Sequence, residues 1–119
     1  MLTETEARQF AQHWIQAWNS RDLEQILQHY DDEVVLNSPV ATRILNDPLG
    51  NVRGKSALRE YFTRGLAAYP QLSFQLLDVL WGLSSIVLYY VNQNGGKTAE
   101  FMQLNDRQKV TRVVANYSA

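Results

Sequence analysis

The chain has 119 residues, of which 45% are hydrophobic and 19% charged, and its 11 basic residues nearly balance 12 acidic ones. This length fits one ordinary domain, and the composition is typical of a globular protein rather than a disordered one. The absence of cysteine excludes disulfides and thiolate chemistry. The charge balance, without any basic run, argues against nucleic acid or a membrane surface as a partner. With an acidic, amphipathic N-terminus and only short apolar runs, residues 1–119 are predicted to form one cytoplasmic domain.

The N-terminal region has the pattern of an amphipathic helix. Thr3 followed by Glu6 is a capping-box sequence, and apolar residues then recur at helical spacing. This pattern predicts a first helix from about Glu4 to Asn19. Its apolar face includes Phe10, Trp14 and Trp18, and we expect Phe10 and Trp14 to be buried beneath a sheet.

A second, shorter helix is predicted after a break at Ser20-Arg21-Asp22. Ser20 or Asp22 can cap it, and Tyr30 lies on its apolar face. Glu33–Ser38 is then expected to form the first strand. Turn signals dominate residues 40–53, and no single conformation is predicted there.

The second half of the chain predicts one helix followed by strands. A third helix should begin at Gly54 and end before Pro70. Four strand-like runs follow it: Gln71–Trp81, Ser85–Gln93, Lys97–Asn105 and Lys109–Tyr117. Asn94-Gly95-Gly96 is a strong hairpin signal between the middle two runs. Helices followed by an antiparallel meander indicate an α+β fold.

Several sequence runs together resemble the nuclear transport factor 2-like superfamily, particularly its ketosteroid isomerase and SnoaL-like (polyketide cyclase) members. These runs are WIQAWNSRDL from Trp14, YDDEVV from Tyr30, Ser38-Pro39, and GKSALREYF from Gly54. The resemblance implies three N-terminal helices packed on a curved, mainly antiparallel sheet, which together form a cone with a deep pocket. It also implies a homodimer. It does not imply one activity, since this fold serves isomerases, cyclases, dehydratases, hydrolases and non-enzymes.

Comparison with ketosteroid isomerase narrows the chemistry that the resemblance implies. That enzyme has an Asp general base before a Pro in the first strand, where this chain has Ser38. It has a Tyr donor in the first helix, where this chain has Trp14, and a neutral Asp in the later sheet, where this chain has Glu100. Of the three functional groups, only the carboxyl group in the later sheet is retained, as Glu100 in place of Asp. Steroid-type isomerisation is therefore disfavoured, but an acid in the pocket is preserved.

Strand alternation offers two interpretations of Glu100. Thr98, Glu100, Met102 and Leu104 share one face of their strand, and an inward-facing Glu among such apolar neighbours should have a raised pKa. The alternative is a solvated Glu on the outer face, or one paired with Arg112. A two-residue turn at Asn94-Gly95 would place Tyr89 opposite Glu100, where its hydroxyl, or the indole of Trp14, could donate a hydrogen bond.

An aromatic set spread over the helices and the sheet suits, as a group, the wall of an apolar ligand site, although core packing is the favoured explanation for any single member. The predicted pocket-lining residues are Trp14, Trp18, Tyr30, Ser38, Tyr61, Tyr89, Met102, Val113 and Tyr117. Neither His13 nor His29 has a partner at a convincing metal-ligand spacing, so no metal and no cofactor are predicted.

The sequence favours binding of a small, largely apolar molecule in the cone pocket, with isomerase-, cyclase- or dehydratase-type proton transfer as a possible addition, and three functions remain open. The first is proton-transfer catalysis on a small apolar carbonyl compound, with Glu100 as the candidate catalytic residue. The second is binding of a small apolar ligand without turnover, and the third is a dimeric interaction domain. We expect a homodimer formed through the outer sheet face. Under the two-residue turn, that face would carry Phe101, Ile86, Leu88 and Tyr90.

Overall fold

A computed structural model describes residues 2–118, and within this range the chain forms four helices and six strands. The helices are α1 (Glu4–Ser20), α2 (Leu23–Leu27), α3 (Pro39–Ile44) and α4 (Lys55–Ala68). The strands are β1 (Tyr30–Asn37), β2 (Asn51–Arg53), β3 (Gln75–Trp81), β4 (Ser85–Val91), β5 (Lys97–Leu104) and β6 (Val110–Tyr117). No helix in the described range is long and apolar enough to cross a membrane.

Helix α1 is fixed at both ends by side chains. The capping box predicted from the sequence is present, since Thr3 accepts from the backbone N–H of Glu6 and Glu6 accepts from that of Thr3. At the other end Arg21 adopts a left-handed conformation with φ of 59°. Its guanidinium donates hydrogen bonds to the carbonyl oxygens of Leu66 and Tyr69 at the end of α4. The C-terminal ends of the two long helices are thereby held together.

The segment between β1 and α4 contains two elements that the sequence left undecided. Ser38 caps α3 by accepting a hydrogen bond from the N–H of Val40. Pro39 occupies the first turn of α3, where a backbone N–H would have no partner within the helix, so the missing N–H of proline costs no hydrogen bond. A short strand, β2, then pairs with β1. Tyr30 was predicted in the second helix, but it begins β1, because α2 already ends at Leu27.

The sheet has the strand order β2-β1-β6-β5-β4-β3 and remains open. Only β1 and β6 pair in parallel, so the predicted α+β class with a mainly antiparallel sheet is confirmed. Register shifts interrupt the β1–β6, β3–β4 and β5–β6 ladders. Such bulges bend strands. Helices α1 and α4 pack on this sheet, α1 against β3 and α4 against β1.

The hairpin between β4 and β5 forms as predicted, but its register differs by one residue. Asn92 and Gly96 close a three-residue loop in which Gly95 has φ of +84°, the geometry of a type I turn followed by a left-handed residue. Glu100 therefore lies opposite Leu88 rather than Tyr89. Because side chains alternate across a strand, the one-residue shift exchanges the two faces of β4.

The shift also corrects the predicted outer surface of the sheet. Ile86, Leu88 and Tyr90 are buried, at 0%, 0% and 2% exposure. The partly exposed residues that occupy the outer sheet face of β4, β5 and β6 are instead Val87, Tyr89, Phe101 and Val114, with Phe101 paired to Val87 and to Val114. We refer to these four residues as the outer sheet face.

Candidate functional site

A cavity of about 420 Å³ lies between the helices and the inner side of the sheet. Its wall is formed by α1, α3, α4, β1, β4, β5, β6 and the segment before β3. Eight of its 22 lining residues are aromatic, and they include Trp14, Trp18, Tyr61, Phe62, Phe74 and Tyr90. Cavities of this size and character are typical of sites for small organic molecules.

Phe74 connects the helical and the sheet parts of the aromatic wall. Its ring stacks on Trp14, with centroids 5.9 Å apart and planes 11° from parallel, and lies 4.4 Å from the ring of Tyr90. The side-chain amide of Asn19 holds the Phe74 backbone, donating to its carbonyl oxygen at 2.9 Å and accepting from its N–H at 2.7 Å. The end of α1 thus positions a wall residue that strand patterns alone did not single out.

Glu100 is the acidic group in the cavity wall. It projects inward from β5 and is only 8% exposed. The hydroxyl of Tyr90 donates a hydrogen bond to Glu100 Oε1 at 2.5 Å. Burial raises the pKa of Glu100 from an ordinary value of 4.5 to about 7, although the hydrogen bond from Tyr90 opposes this shift. Near neutral pH this carboxyl is present in both protonated and ionised forms, so it can both donate and accept a proton.

The hydrogen-bond donor to Glu100 is therefore neither of the predicted residues. Tyr89 lies on the opposite side of β4, on the outer sheet face. Trp14 lines the cavity, but its indole N–H donates to the hydroxyl of Tyr30 at 3.0 Å. Tyr90, which the predicted register assigned to the outer surface, takes this role.

Burial also keeps Tyr90 and Tyr61 protonated over the physiological pH range. The pKa of Tyr90 is raised well above its ordinary value, first by burial and then by the nearby charge of Glu100. Burial raises the pKa of Tyr61 to about 12. Both phenols consequently act as neutral hydrogen-bond donors rather than as bases.

A single exposed cation lines the cavity in the described part of the chain. Arg43, on α3, lines the cavity and is exposed to solvent. Its side chain forms no ion pair with any described residue. The other charged side chain in the wall is Glu100, which is buried. Uncharged polar residues, among them Ser38, Thr98 and Asn92, also line the cavity.

The structure brings together only some of the residues that the sequence analysis assigned to the pocket. Those in the cavity wall are Trp14, Trp18, Ser38, Tyr61, Tyr117 and Glu100. Those outside it are Tyr30, Met102 and Val113, which are buried in the core, and Tyr89, which faces outward. Wall residues that sequence analysis missed include Leu36, Arg43, Tyr69, Leu72, Phe74 and Tyr90.

No metal centre is suggested by the residues that the structure describes. Within residues 2–118, no group of three or more His, Asp or Glu side chains is placed to hold an ion. His29 packs edge-on against Phe10, with ring centroids 5.4 Å apart, and burial lowers its pKa. This histidine therefore has the surroundings of a structural residue.

The profile of the SnoaL-like domain family matches residues 11–114. The chain therefore belongs to the SnoaL-like domain family, within the nuclear transport factor 2-like superfamily. A crystal structure of a SnoaL-like protein of unknown function from Burkholderia thailandensis is 32% identical to it. The two superpose with a TM-score of 0.93, and the match covers 98% of each chain. None of the curated proteins matches the sequence significantly.

More distant solved structures share the fold alone. SalBIII, described as an epoxide hydrolase/cyclase-like enzyme with a role in pyran ring formation in polyether salinomycin, is 14% identical with a TM-score of 0.76. That match covers 99% of this chain and 95% of SalBIII. TerC, crystallised with polyporic acid, is 13% identical with a TM-score of 0.77, and the match covers 94% of this chain and 91% of TerC.

Proposed function

We propose that the cavity binds a small, largely apolar molecule that carries an oxygen function, and that Glu100 exchanges a proton with this molecule. The observation that carries the proposal is the position of Glu100. A buried carboxyl group lies in the wall of an aromatic cavity, with its pKa raised by burial to about 7. A purely structural Glu in a core gains nothing from this arrangement, because burying a carboxyl without a charge partner is costly.

The environment of Glu100 fits acid–base chemistry next to a carbonyl group. In its ionised form Glu100 can remove a proton from the carbon beside a ketone, and the C–H electrons then form the enolate double bond. Returning the same proton to carbon or oxygen regenerates the carboxylate. Tyr90 donates its one O–H proton to Glu100 at 2.5 Å and remains protonated, so it stabilises the ionised form of the carboxyl, which is the form that removes the proton.

Other proteins with this fold act on, or were crystallised with, small organic molecules, and this supports the proposal. SalBIII is described as acting in pyran ring formation, and TerC was crystallised with polyporic acid. Both proteins are only 13–14% identical to this chain, so they support the proposal that the cavity holds a ligand and say nothing about which ligand it is. Ser38, in the position of the steroid isomerase base, makes a steroid-type mechanism with two carboxylates a poor fit.

The test uses 2-tetralone, a small bicyclic ketone with acidic protons beside its carbonyl group. We expect the protein to bind it, measured by calorimetry, and to accelerate exchange of those protons for deuterium in D₂O, measured by proton NMR. Glu100→Gln should abolish the acceleration because an amide cannot take up the proton. Glu33→Gln, which changes an exposed carboxyl, is the matched control and should exchange at the wild-type rate.

The outcomes separate the three functions that the sequence left open. Binding without accelerated exchange would remove the proton-transfer part of the proposal and favour a ligand-binding module. If the protein neither binds 2-tetralone nor accelerates its proton exchange, the whole proposal is contradicted and a protein-interaction domain is favoured. A loss of exchange in Glu33→Gln equal to that in Glu100→Gln would show that the effect does not arise in the cavity.

A further inference from the structure

The cavity contains a second group of polar side chains that the proposed proton transfer does not use. Ser38 is 2% exposed, and its Oγ lies 3.4 Å from the hydroxyl oxygen of Tyr117. Tyr61, which is 7% exposed, lines the same cavity. All three side chains line the cavity. We call Ser38, Tyr61 and Tyr117 the hydroxyl cluster.

The hydroxyl cluster has hydrogen-bonding capacity to spare. Ser38 Oγ already accepts from the N–H of Val40, but its own O–H proton is left to donate. The contact between Ser38 and Tyr117 is longer than the usual O–H···O bond of about 2.7–2.8 Å. A stronger acceptor can therefore replace it at little cost. An oxygen atom of a ligand is such an acceptor, and Tyr117, at 38% exposure, lies where a ligand can reach it.

The sheet register places this cluster across the cavity wall from Glu100. Asn37 on β1 pairs with Val114 on β6, so Ser38 comes next to Ala115. Ala115 in turn pairs with Glu100 on β5. Ser38 and Glu100 thus lie two strand spacings apart, about 10 Å between their backbones. The residue between them carries only a methyl group and lines the cavity, which leaves the space between the two polar sites open.

We propose that the hydroxyl cluster is a second binding subsite, which holds a second oxygen atom of the same ligand whose first oxygen meets Glu100. The ligand class is then a small ring compound with oxygen functions at two separated positions, such as a hydroxyketone, a quinone or a diphenol. This inference rests on the proposed binding of an apolar, oxygen-bearing molecule. It adds the spacing of two oxygens as the feature that determines specificity.

The test compares two probes that share one ring system and differ by one oxygen atom. These are 2-naphthol and 2,6-dihydroxynaphthalene, titrated into the protein by calorimetry. The symmetric diol has a twofold statistical advantage if only one oxygen is bound. We expect it to bind about tenfold more tightly than 2-naphthol, because a site built to pair with a polar group discriminates against a ligand that lacks it.

Variants locate this preference within the cavity. Tyr117→Phe removes one hydroxyl of the cluster and should reduce the affinity ratio from about tenfold to about twofold. Tyr61→Phe is the second variant, and it should also lower the ratio. Tyr89→Phe is the matched control, because it makes the same change on the outer sheet face, and it should keep the wild-type ratio. Unchanged thermal melting shows that each variant is folded.

Each other result overturns a specific part of the account. A wild-type ratio of about two, with both probes binding, would refute the second subsite and leave the proposed function intact. A tenfold ratio that survives both Tyr117→Phe and Tyr61→Phe would place the second oxygen elsewhere in the cavity. Failure of both probes to bind the wild-type protein would contradict the proposed function and this inference together.

Discussion

Replacing Glu100 with Gln should raise the free energy of unfolding at pH 8 and leave it almost unchanged at pH 4. The pKa of this carboxyl is about 7 in the folded protein and 4.5 at its ordinary value. A raised pKa means that the folded state keeps the proton after the unfolded state has lost it. The contribution of Glu100 to stability is therefore fully present below about pH 4.5 and is lost as the pH rises through 7.

The size of the effect follows from the difference between the two pKa values. One pKa unit corresponds to about 1.4 kcal/mol, so ionising Glu100 in the folded protein costs about 3 kcal/mol above pH 7. A glutamine has nearly the same shape, can accept the hydrogen bond from Tyr90, and does not ionise. The variant should thus be more stable than the wild type by up to about 3 kcal/mol at pH 8.

Urea denaturation followed by circular dichroism measures this difference at each pH. Comparing the two proteins at one pH cancels the contributions of all other titrating groups. Glu33→Gln is the control, because it makes the same substitution at an exposed position outside the cavity. If Glu100→Gln changed stability equally at pH 4 and pH 8, the carboxyl would have an ordinary pKa and the argument from burial would be wrong.

Three further predictions concern the core, the hydrogen bond between Tyr90 and Glu100, and the outer sheet face. Trp14→Ala should destabilise the protein by about 3–5 kcal/mol, since the side chain is 1% exposed; a melting shift of one or two degrees would contradict this. Tyr90→Phe should raise the pKa of Glu100 further, because it removes the hydrogen bond that lowers it, and carbon-13 NMR can follow this change. We also predict a homodimer formed through the outer sheet face. Light scattering should give twice the chain mass of 13.7 kDa for the wild type and a monomer for Phe101→Glu.

The sequence predicted the order of the elements well because local signals determine it. The capping box at Thr3 marked the start of α1, and helical spacing identified Trp14 and Trp18 as buried. The turn residues after β4 marked the hairpin. They did not determine its register, because Asn94-Gly95 suits a two-residue turn as well as part of a three-residue loop.

The site was predicted less completely because strand alternation gives the face of a residue but not its depth in the cone. Glu100 and Met102 share one face of β5, but Glu100 lines the cavity and Met102 is wholly buried in the core. Val113 and Ala115 on β6 differ in the same way. How far the cavity extends depends on where the helices cover the sheet. The residue pattern of a single strand does not predict that position.

The most direct test of the central claim is a carbon-13 NMR titration of the Glu100 side-chain carboxyl, without and with 2-naphthol. The resonance is assigned by its absence in Glu100→Gln. We predict a midpoint near pH 7 in the free protein, and a shift of the resonance when the probe binds beside the carboxyl. A midpoint near 4.5 that the probe does not affect would show that Glu100 is neither buried nor part of a binding site.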